Sequence, residues 1–104
     1  MDIEICYGNT LALTIGVDNY FLKSTDLLIF SISKRVNGTT LKRVETRSFQ
    51  DGKAQIFLTS EEMREFEVGT YYYDVLVILE GGFTKTIIPP SKLIIKGVVT
   101  RHDD

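Results

Sequence analysis

Two places in this 104-residue chain hold side chains that bind metals or attack substrates, and neither has the neighbours that such chemistry needs. His102 is the only histidine, and it stands beside Asp103 and Asp104. A metal site needs several convergent ligands on a rigid frame, so we interpret residues 101–104 as a solvated polar tail. Cys6 is the only cysteine, and a nucleophilic thiol needs a base nearby. We therefore expect a small, partly buried thiol, no disulfide within the chain, and neither a metal nor another cofactor.

Four glutamates crowd the segment 59–67, and paired carboxylates can carry out acid–base catalysis. Thr59 is followed three residues later by Glu62, a capping box that satisfies backbone N–H groups where a helix begins. Carboxylates on such a short turn usually face water and complement the helix dipole. The capping box predicts a helical turn near 60–66. The motifs of nucleophilic serines, phosphate loops and dinucleotide sites are absent, so we expect that the protein is not an enzyme. The four glutamates are Glu61, Glu62, Glu65 and Glu67.

Five of the twelve basic residues fall within one predicted hairpin, between residues 26 and 49. Basic side chains there can contact phosphates or dock on an acidic protein surface. They also keep an edge strand from pairing with other chains. The net charge of −2 gives no indication of nucleic acid as a bulk partner. We favour edge protection and keep a docking patch as the alternative. The five residues are Lys34, Arg35, Lys42, Arg43 and Arg47.

Alternating apolar and polar residues between frequent turn signals predict about seven short strands. Asn37-Gly38 and Asp51-Gly52 each predict a tight type I′ hairpin turn, because both central residues of that turn need positive φ. Gly81-Gly82 predicts a further turn. The stretch "PPS" (89–91) is expected to interrupt the last apolar run, since proline cannot donate to a strand ladder.

The stretch "EVGTYYY" (67–73) has the acidic-x-Gly-x-Tyr-x-Cys spacing found in immunoglobulin-like domains. There, a tyrosine hydroxyl bonds back to the backbone at the corner between two sheets. We expect Tyr71 to be that corner residue and Tyr73 to fill the space between the sheets in place of the cysteine. The fold prediction is therefore an all-β, antiparallel, immunoglobulin-like β-sandwich. Its single domain spans 1–100, an ordinary domain length.

The strand "TYYYDVLVILE" (70–80) is apolar on both faces, although a half-buried strand needs only one apolar face. One face carries Tyr73 and Val75 and is expected to join the core. The stretches 27–33 and 92–99 have the same two-sided pattern. An apolar outer face usually marks an interface; alternatively, the helical turn, the loop 18–25 or the prolines cover it. The predicted interface residues are Tyr72, Asp74, Leu76, Ile78 and Ile94.

Over residues 8–101 the chain resembles a known module of tailed phages. The stretches that carry this resemblance are "GNTLALTIGV", "DLLIFSISK", "IFLTSEEMREFEVGTYYYDVLV" and "GGFTKTIIPPSKLIIKGVVTR". The module is the immunoglobulin-like N-terminal domain of phage and prophage upper baseplate proteins of Gram-positive bacteria. The resemblance implies a structural attachment piece of the tail whose partners are tail or baseplate proteins, or further copies of the chain. Members of the family often continue into coiled-coil or receptor-binding parts, which this sequence does not contain.

The start of the chain bears on localisation, and its aromatic residues suggest a second class of function. The start "MDIEIC" lacks the basic and apolar regions of a signal peptide, and no apolar run approaches the ~20 residues of a membrane span. We expect assembly in the bacterial cytoplasm and, for a phage-encoded chain, a place in the virion tail, without a membrane partner. The alternative is a carbohydrate-binding sandwich in which Tyr20 and Phe21, or Tyr72, stack on a sugar. The absence of tryptophan counts against it.

Overall fold

Residues 1–100 are described by the structure, a computed structural model, and the tail over 101–104 with His102 lies outside the described residues. The described chain forms eight strands and one short helix. In chain order these elements are β1 (Ile3–Cys6), β2 (Leu11–Ile15), β3 (Leu27–Ser33), β4 (Thr40–Thr46), β5 (Phe49–Gln50), β6 (Lys53–Leu58), α1 (Ser60–Met63), β7 (Gly69–Ile78) and β8 (Thr84–Lys96).

The strands make two sheets that share one core, which confirms the predicted all-β sandwich. The larger sheet has the order β1-β8-β7-β3-β4 and the smaller one the order β2-β6-β5. Phe30 and Val75 of the larger sheet and Ile56 and Leu58 of the smaller sheet are at most 1% exposed. Burying each such side chain contributes about 1.5–3 kcal/mol. The orders β8-β7-β3 and β2-β6-β5 correspond to the GFC and BED orders of an immunoglobulin sandwich, whereas β1 lies in the larger sheet.

Strand β1 differs from the prediction in two ways. It was not expected as a strand, so the described chain has eight strands where the pattern predicted about seven. It also pairs parallel with β8, from Ile3 opposite Leu93 to Cys6 opposite Lys96, whereas the other strand pairs of residues 1–100 are antiparallel. The partners of a parallel pair are far apart in sequence, so no hairpin turn signal in the sequence predicts their pairing.

The turn predictions had different outcomes. Asp51 and Gly52 have φ values of 53° and 74°, as a type I′ turn requires, and join β5 to β6. Gly81 and Gly82 also have positive φ and lie between β7 and β8. The prediction of a type I′ turn at Asn37-Gly38 was wrong, because Asn37 has φ 62° but Gly38 does not have a positive φ. The turn hydrogen bond runs from Gly38 N to the Arg35 carbonyl, which shifts the turn by one residue.

The prolines do not interrupt the last strand, as they were expected to do. β8 runs through Pro89 and Pro90, and the register shifts as it passes them: Tyr73 lies opposite Ser91, but Val75 lies opposite Ile88. This bulge absorbs the missing proline N–H groups on the β7 side. On the other side β1 pairs only with the C-terminal part of β8, so no ladder bond is lost there.

The helical turn and the tyrosine corner are confirmed. The Thr59 hydroxyl accepts a hydrogen bond from Glu62 N at 3.1 Å, and Glu62 Oε1 accepts one from Thr59 N at 3.0 Å. Phe66, just after α1, is buried in the core. The Tyr71 hydroxyl donates to the Glu67 carbonyl at 2.9 Å, and the Tyr71 ring meets Phe66 edge to face. The corner therefore fixes the entry of the chain into β7.

We expect Tyr71→Phe to lower the free energy of unfolding by about 1 kcal/mol, the net value of one hydrogen bond. The ring and its packing are retained, so the loss reports the hydroxyl alone. Denaturant melts measure the change. Tyr72→Phe is the matched control, because the neighbouring Tyr72 hydroxyl makes no hydrogen bond to residues 1–100. Equal costs for the two variants would contradict the assigned corner.

Candidate interaction face

The side of the larger sheet that points away from the core is the candidate site, and we call it the outer face. Directly opposed residues on neighbouring strands point to the same side of a sheet. Tyr73 and Val75 are buried in the core, so the residues between them on β7 point outward. All five predicted interface residues lie on this face, four of them on β7 and Ile94 on β8. The outward pairs of β3 and β7 are Leu27–Ile78, Ile29–Leu76, Ser31–Asp74 and Ser33–Tyr72.

One half of the outer face is apolar. Leu27, Leu76 and Ile78 are half-buried, and Ile29 between them is 5% exposed. They form two adjacent cross-strand pairs, so their side chains make one continuous surface. We call these four residues the apolar patch.

The segments that sequence reasoning offered as a cover lie elsewhere. Met63 and Phe66 of the helical turn are part of the core cluster. Leu22 anchors the loop 18–25 in the same core. Pro89 and Pro90 are exposed within β8. Each of these three segments therefore has a place of its own, in the core or within β8.

The other half of the outer face is polar and contains an open pocket of about 180 Å³. Asp74, Ser31 and Ser33 line this pocket beside the half-buried Tyr72. The Asp74 carboxylate makes no hydrogen bond or ion pair with the described residues, and neither does the Ser31 hydroxyl. Both groups therefore remain able to bind a partner.

Ile94 is on the same face but apart from the apolar patch. It lies on β8 opposite Thr70 of β7 and Glu4 of β1. Lys92, opposite Tyr72, stands between Ile94 and the pocket. Ile94 can therefore contact a partner only at the margin of the interface.

The five basic residues do not form one surface. Arg43 lies on the outer side of β4, where its Nε pairs with Glu45 Oε2 at 2.7 Å. Lys42 points to the opposite side, where its ammonium pairs with Glu62 at 3.0 Å. This alternation leaves charged side chains on both faces of the edge strand β4, as edge protection requires; the docking patch stays a prediction.

Of the remaining three basic residues, two have contacts of their own and the side chain of the third is free. Lys34 Nζ donates to the Thr70 carbonyl at 3.1 Å and lies 4.3 Å from the centre of the Tyr71 ring. Arg47 donates to the Thr25 carbonyl at 3.3 Å. The Arg35 side chain is exposed and makes no polar contact with the described part of the chain.

The carboxylates that resembled acid–base groups have structural roles or face water. Hydrogen bonding from the Thr59 N–H lowers the pKa of Glu62 below its ordinary value, and the Lys42 ammonium adds to this effect. Glu61, Glu65 and Glu67 are exposed. Glu62 is therefore held as a carboxylate that fixes the helix start.

Residues 1–100 contain no group of three or more His, Cys, Asp or Glu side chains placed to hold a metal ion. Cys6 is a half-buried free thiol on β1. The predicted tail with His102, Asp103 and Asp104 lies outside the described residues. In the same range no helix has the length and apolar character needed to cross a membrane.

None of the protein-family models, curated proteins or solved structures compared with the chain matches it. The interpretation of the outer face therefore rests on the residues and geometry of this chain.

Proposed function

We propose that this chain is a non-enzymatic assembly domain that binds protein partners through its outer face. The observation that carries this proposal is the apolar patch, which lies on the side of the larger sheet that points away from the core, beside a polar pocket, and three of whose four residues are only half-buried. An apolar surface bordered by polar groups is the usual composition of a protein interface.

The biological setting that we propose is the tail baseplate of a phage or prophage. Support for this setting comes from the sequence resemblance over 8–101. The partners are then other baseplate proteins or further copies of the chain, and the location is the virion tail after assembly in the host cytoplasm. The genes next to the coding sequence provide a test: tail and lysis genes support the setting, and a metabolic operon contradicts it.

Leu76→Lys tests the contact surface, because it places a charge in the centre of the apolar patch. The side chain points away from Tyr73 and Val75, so the core is unchanged. At about 100 μM, where mass action favours association, we expect light scattering to give the wild type a multiple of 11.8 kDa. The variant is expected to give 11.8 kDa.

Gln55→Lys is the matched control for this experiment. Gln55 is exposed on the outer side of the smaller sheet, so the same change of charge is made on the opposite face. We expect it to keep the mass of the wild type. Equal dissociation by both variants would contradict a specific role of the outer face.

A carbohydrate-binding domain is the second candidate, favoured by one exposed aromatic ring. Phe21 is 70% exposed and lies against Gly52, in a groove that also contains Asn19, Asp51 and Lys53. An aromatic face beside polar groups can stack on a sugar ring.

A glycan array compared between wild type and Phe21→Ala tests this candidate. Loss of micromolar binding in the variant would support it, and an array without binding would contradict it. Tyr20→Ala is less specific, because the Tyr20 hydroxyl donates to the buried Asp26.

A further inference from the structure

The pocket on the outer face lies beside the bulge in β8, which contributes Pro90 to its lining. Tyr73 and Val75 have partners on β8, but Asp74 between them has none, because the register shifts there. Bulges interrupt a ladder and redirect side chains, and they are frequent at functional sites. Pro90 of the bulge forms one wall of the pocket. Asp74 thus lies opposite the bulge, outside the regular pairing of β7 with β8.

Charge in the pocket is uncompensated within the described chain. Arg43 is on the same face, opposite Ser31, and Ser31 is opposite Asp74. The Arg43 guanidinium is nevertheless held by Glu45 at 2.7 Å. Lys92 is exposed on β8 and makes no ion pair with residues 1–100. Asp74 is therefore a carboxylate without a counter-charge in contact, although Arg43 and Lys92 lie on the same face.

Several of the other lining residues carry a group that can accept a hydrogen bond or an aromatic ring. The Ser31 hydroxyl has no partner among the described residues. The Ser33 hydroxyl donates to the Arg35 carbonyl at 2.7 Å, which leaves its lone pairs free to accept. Asn37 contributes an amide, and Tyr72 contributes its ring. The pocket exceeds the volume of a single water molecule, so it has room for the end of a side chain.

We propose that this pocket receives an arginine side chain of a protein partner. The proposal rests on the assembly function proposed above and identifies the chemistry by which the partner is recognised. A guanidinium group presents five N–H donors in one plane, binds carboxylates, stacks on aromatic rings and is more weakly hydrated than an ammonium group. Arginine is also enriched among the residues that dominate interface energies. A partner that covers the apolar patch next to the pocket excludes water, which strengthens the pairing of its guanidinium group with Asp74.

A titration followed by ¹H–¹⁵N NMR tests the proposal with N-acetyl-arginine amide as the probe. We expect saturable shifts of the backbone amides of Ser31, Ser33 and Asp74, with a dissociation constant in the roughly millimolar range of a single small contact. N-acetyl-citrulline amide, the uncharged analogue of equal length, is expected to cause none. For Asp74→Asn we expect the dissociation constant of the arginine probe to rise at least about tenfold. The spectrum itself reports whether the variant is folded.

Asp51→Asn is the matched control. It removes the same charge from an exposed turn outside the pocket, and asparagine accepts the positive φ of that position. We expect this variant to bind the probe as the wild type does.

Four results would overturn the proposal. These are an absence of local shifts, equal shifts with the citrulline analogue, unchanged binding in Asp74→Asn, and tighter binding of N-acetyl-lysine amide. The titration is run at a dilution at which the wild type is monomeric, so that a second copy does not occupy the outer face. The experiment is independent of the mass measured for Leu76→Lys, so the pocket can fail while the assembly face stands.

Discussion

Tyr73→Ala is expected to lower the free energy of unfolding by about 3–5 kcal/mol, the usual cost of removing a large buried aromatic side chain. Tyr73 is 2% exposed and lies between the sheets, with its ring centre 5.6 Å from that of Phe30. Its hydroxyl donates to the Met1 carbonyl. Burial raises the pKa of this hydroxyl, which keeps it protonated as a donor. Truncation therefore removes packing and a hydrogen bond together.

Denaturant unfolding measures the loss, and Tyr73→Phe separates its two parts. The phenylalanine variant keeps the ring, so we expect a cost of about 1 kcal/mol for the hydroxyl alone. Leu41→Ala serves as a surface control, because Leu41 is 52% exposed. A cost for Tyr73→Ala as small as that of Leu41→Ala would contradict the assigned strand faces.

Asp26→Ala is expected to cost at least about 3 kcal/mol, because it leaves buried backbone donors without an acceptor. The Asp26 side chain is fully buried. Its Oδ2 accepts hydrogen bonds from the Tyr20 hydroxyl at 2.8 Å and Lys23 N at 3.0 Å. Its Oδ1 accepts one from Glu80 N at 3.1 Å. The carboxylate therefore connects the loop 18–25 to Glu80, just after the end of β7.

The contribution of Asp26 depends on pH in a defined direction. Burial alone would raise the pKa of Asp26, but the hydrogen bonds from Lys23 N, the Tyr20 hydroxyl and Glu80 N outweigh it, so the folded pKa lies below its ordinary value. A group with a lowered folded pKa stabilises the fold above its unfolded pKa of about 3.9. That stability is lost as the pH falls through the folded pKa.

Chemical unfolding of wild type and Asp26→Asn from neutral to acidic pH measures this dependence. We expect Asp26→Asn to be less stable than the wild type at neutral pH, and the difference between their free energies of unfolding to become smaller below about pH 4. Asp18→Asn, which changes an exposed residue of the same loop, should follow the wild type. A gap that stays constant with pH would show that the charge of Asp26 is not what holds the loop.

The parts of the fold that sequence predicted are those set by local chemistry. Thr59 and Glu62 form their capping box, and Tyr71 reaches the Glu67 carbonyl, because each contact joins residues three or four positions apart. Asp51 and Gly52 form a type I′ turn for the same reason. The apolar character of both faces of β7 could also be predicted, because side chains alternate between the two faces of a strand.

The parts that sequence missed depend on distant partners. β1 is a strand because β8 offers it a parallel edge, and Pro89 and Pro90 fit into β8 because a bulge and an open edge accept them. Asp26 is buried because two backbone N–H groups and a hydroxyl converge on it. A signal for it existed: an aspartate three residues after Lys23 can accept the Lys23 N–H in a local turn.

The candidate site was predicted in part. The alternation of β7 placed Tyr72, Asp74, Leu76 and Ile78 on one face, as the register has them. The pocket could not be anticipated, because it requires both the pairing of Ser31 with Asp74 and the bulge in β8. Ile94 was named from its strand pattern alone, which does not reveal that charged residues flank it.

The melting temperature of Leu76→Lys, measured at a dilution where the wild type is monomeric, tests the central claim most directly. We expect the two proteins to melt within a few degrees of each other, because Leu76 points away from the core and is only half-buried in the isolated domain. A Leu76→Lys chain that is unfolded, or that melts as low as Tyr73→Ala, would contradict the account, since Leu76 would then belong to the core of the domain itself.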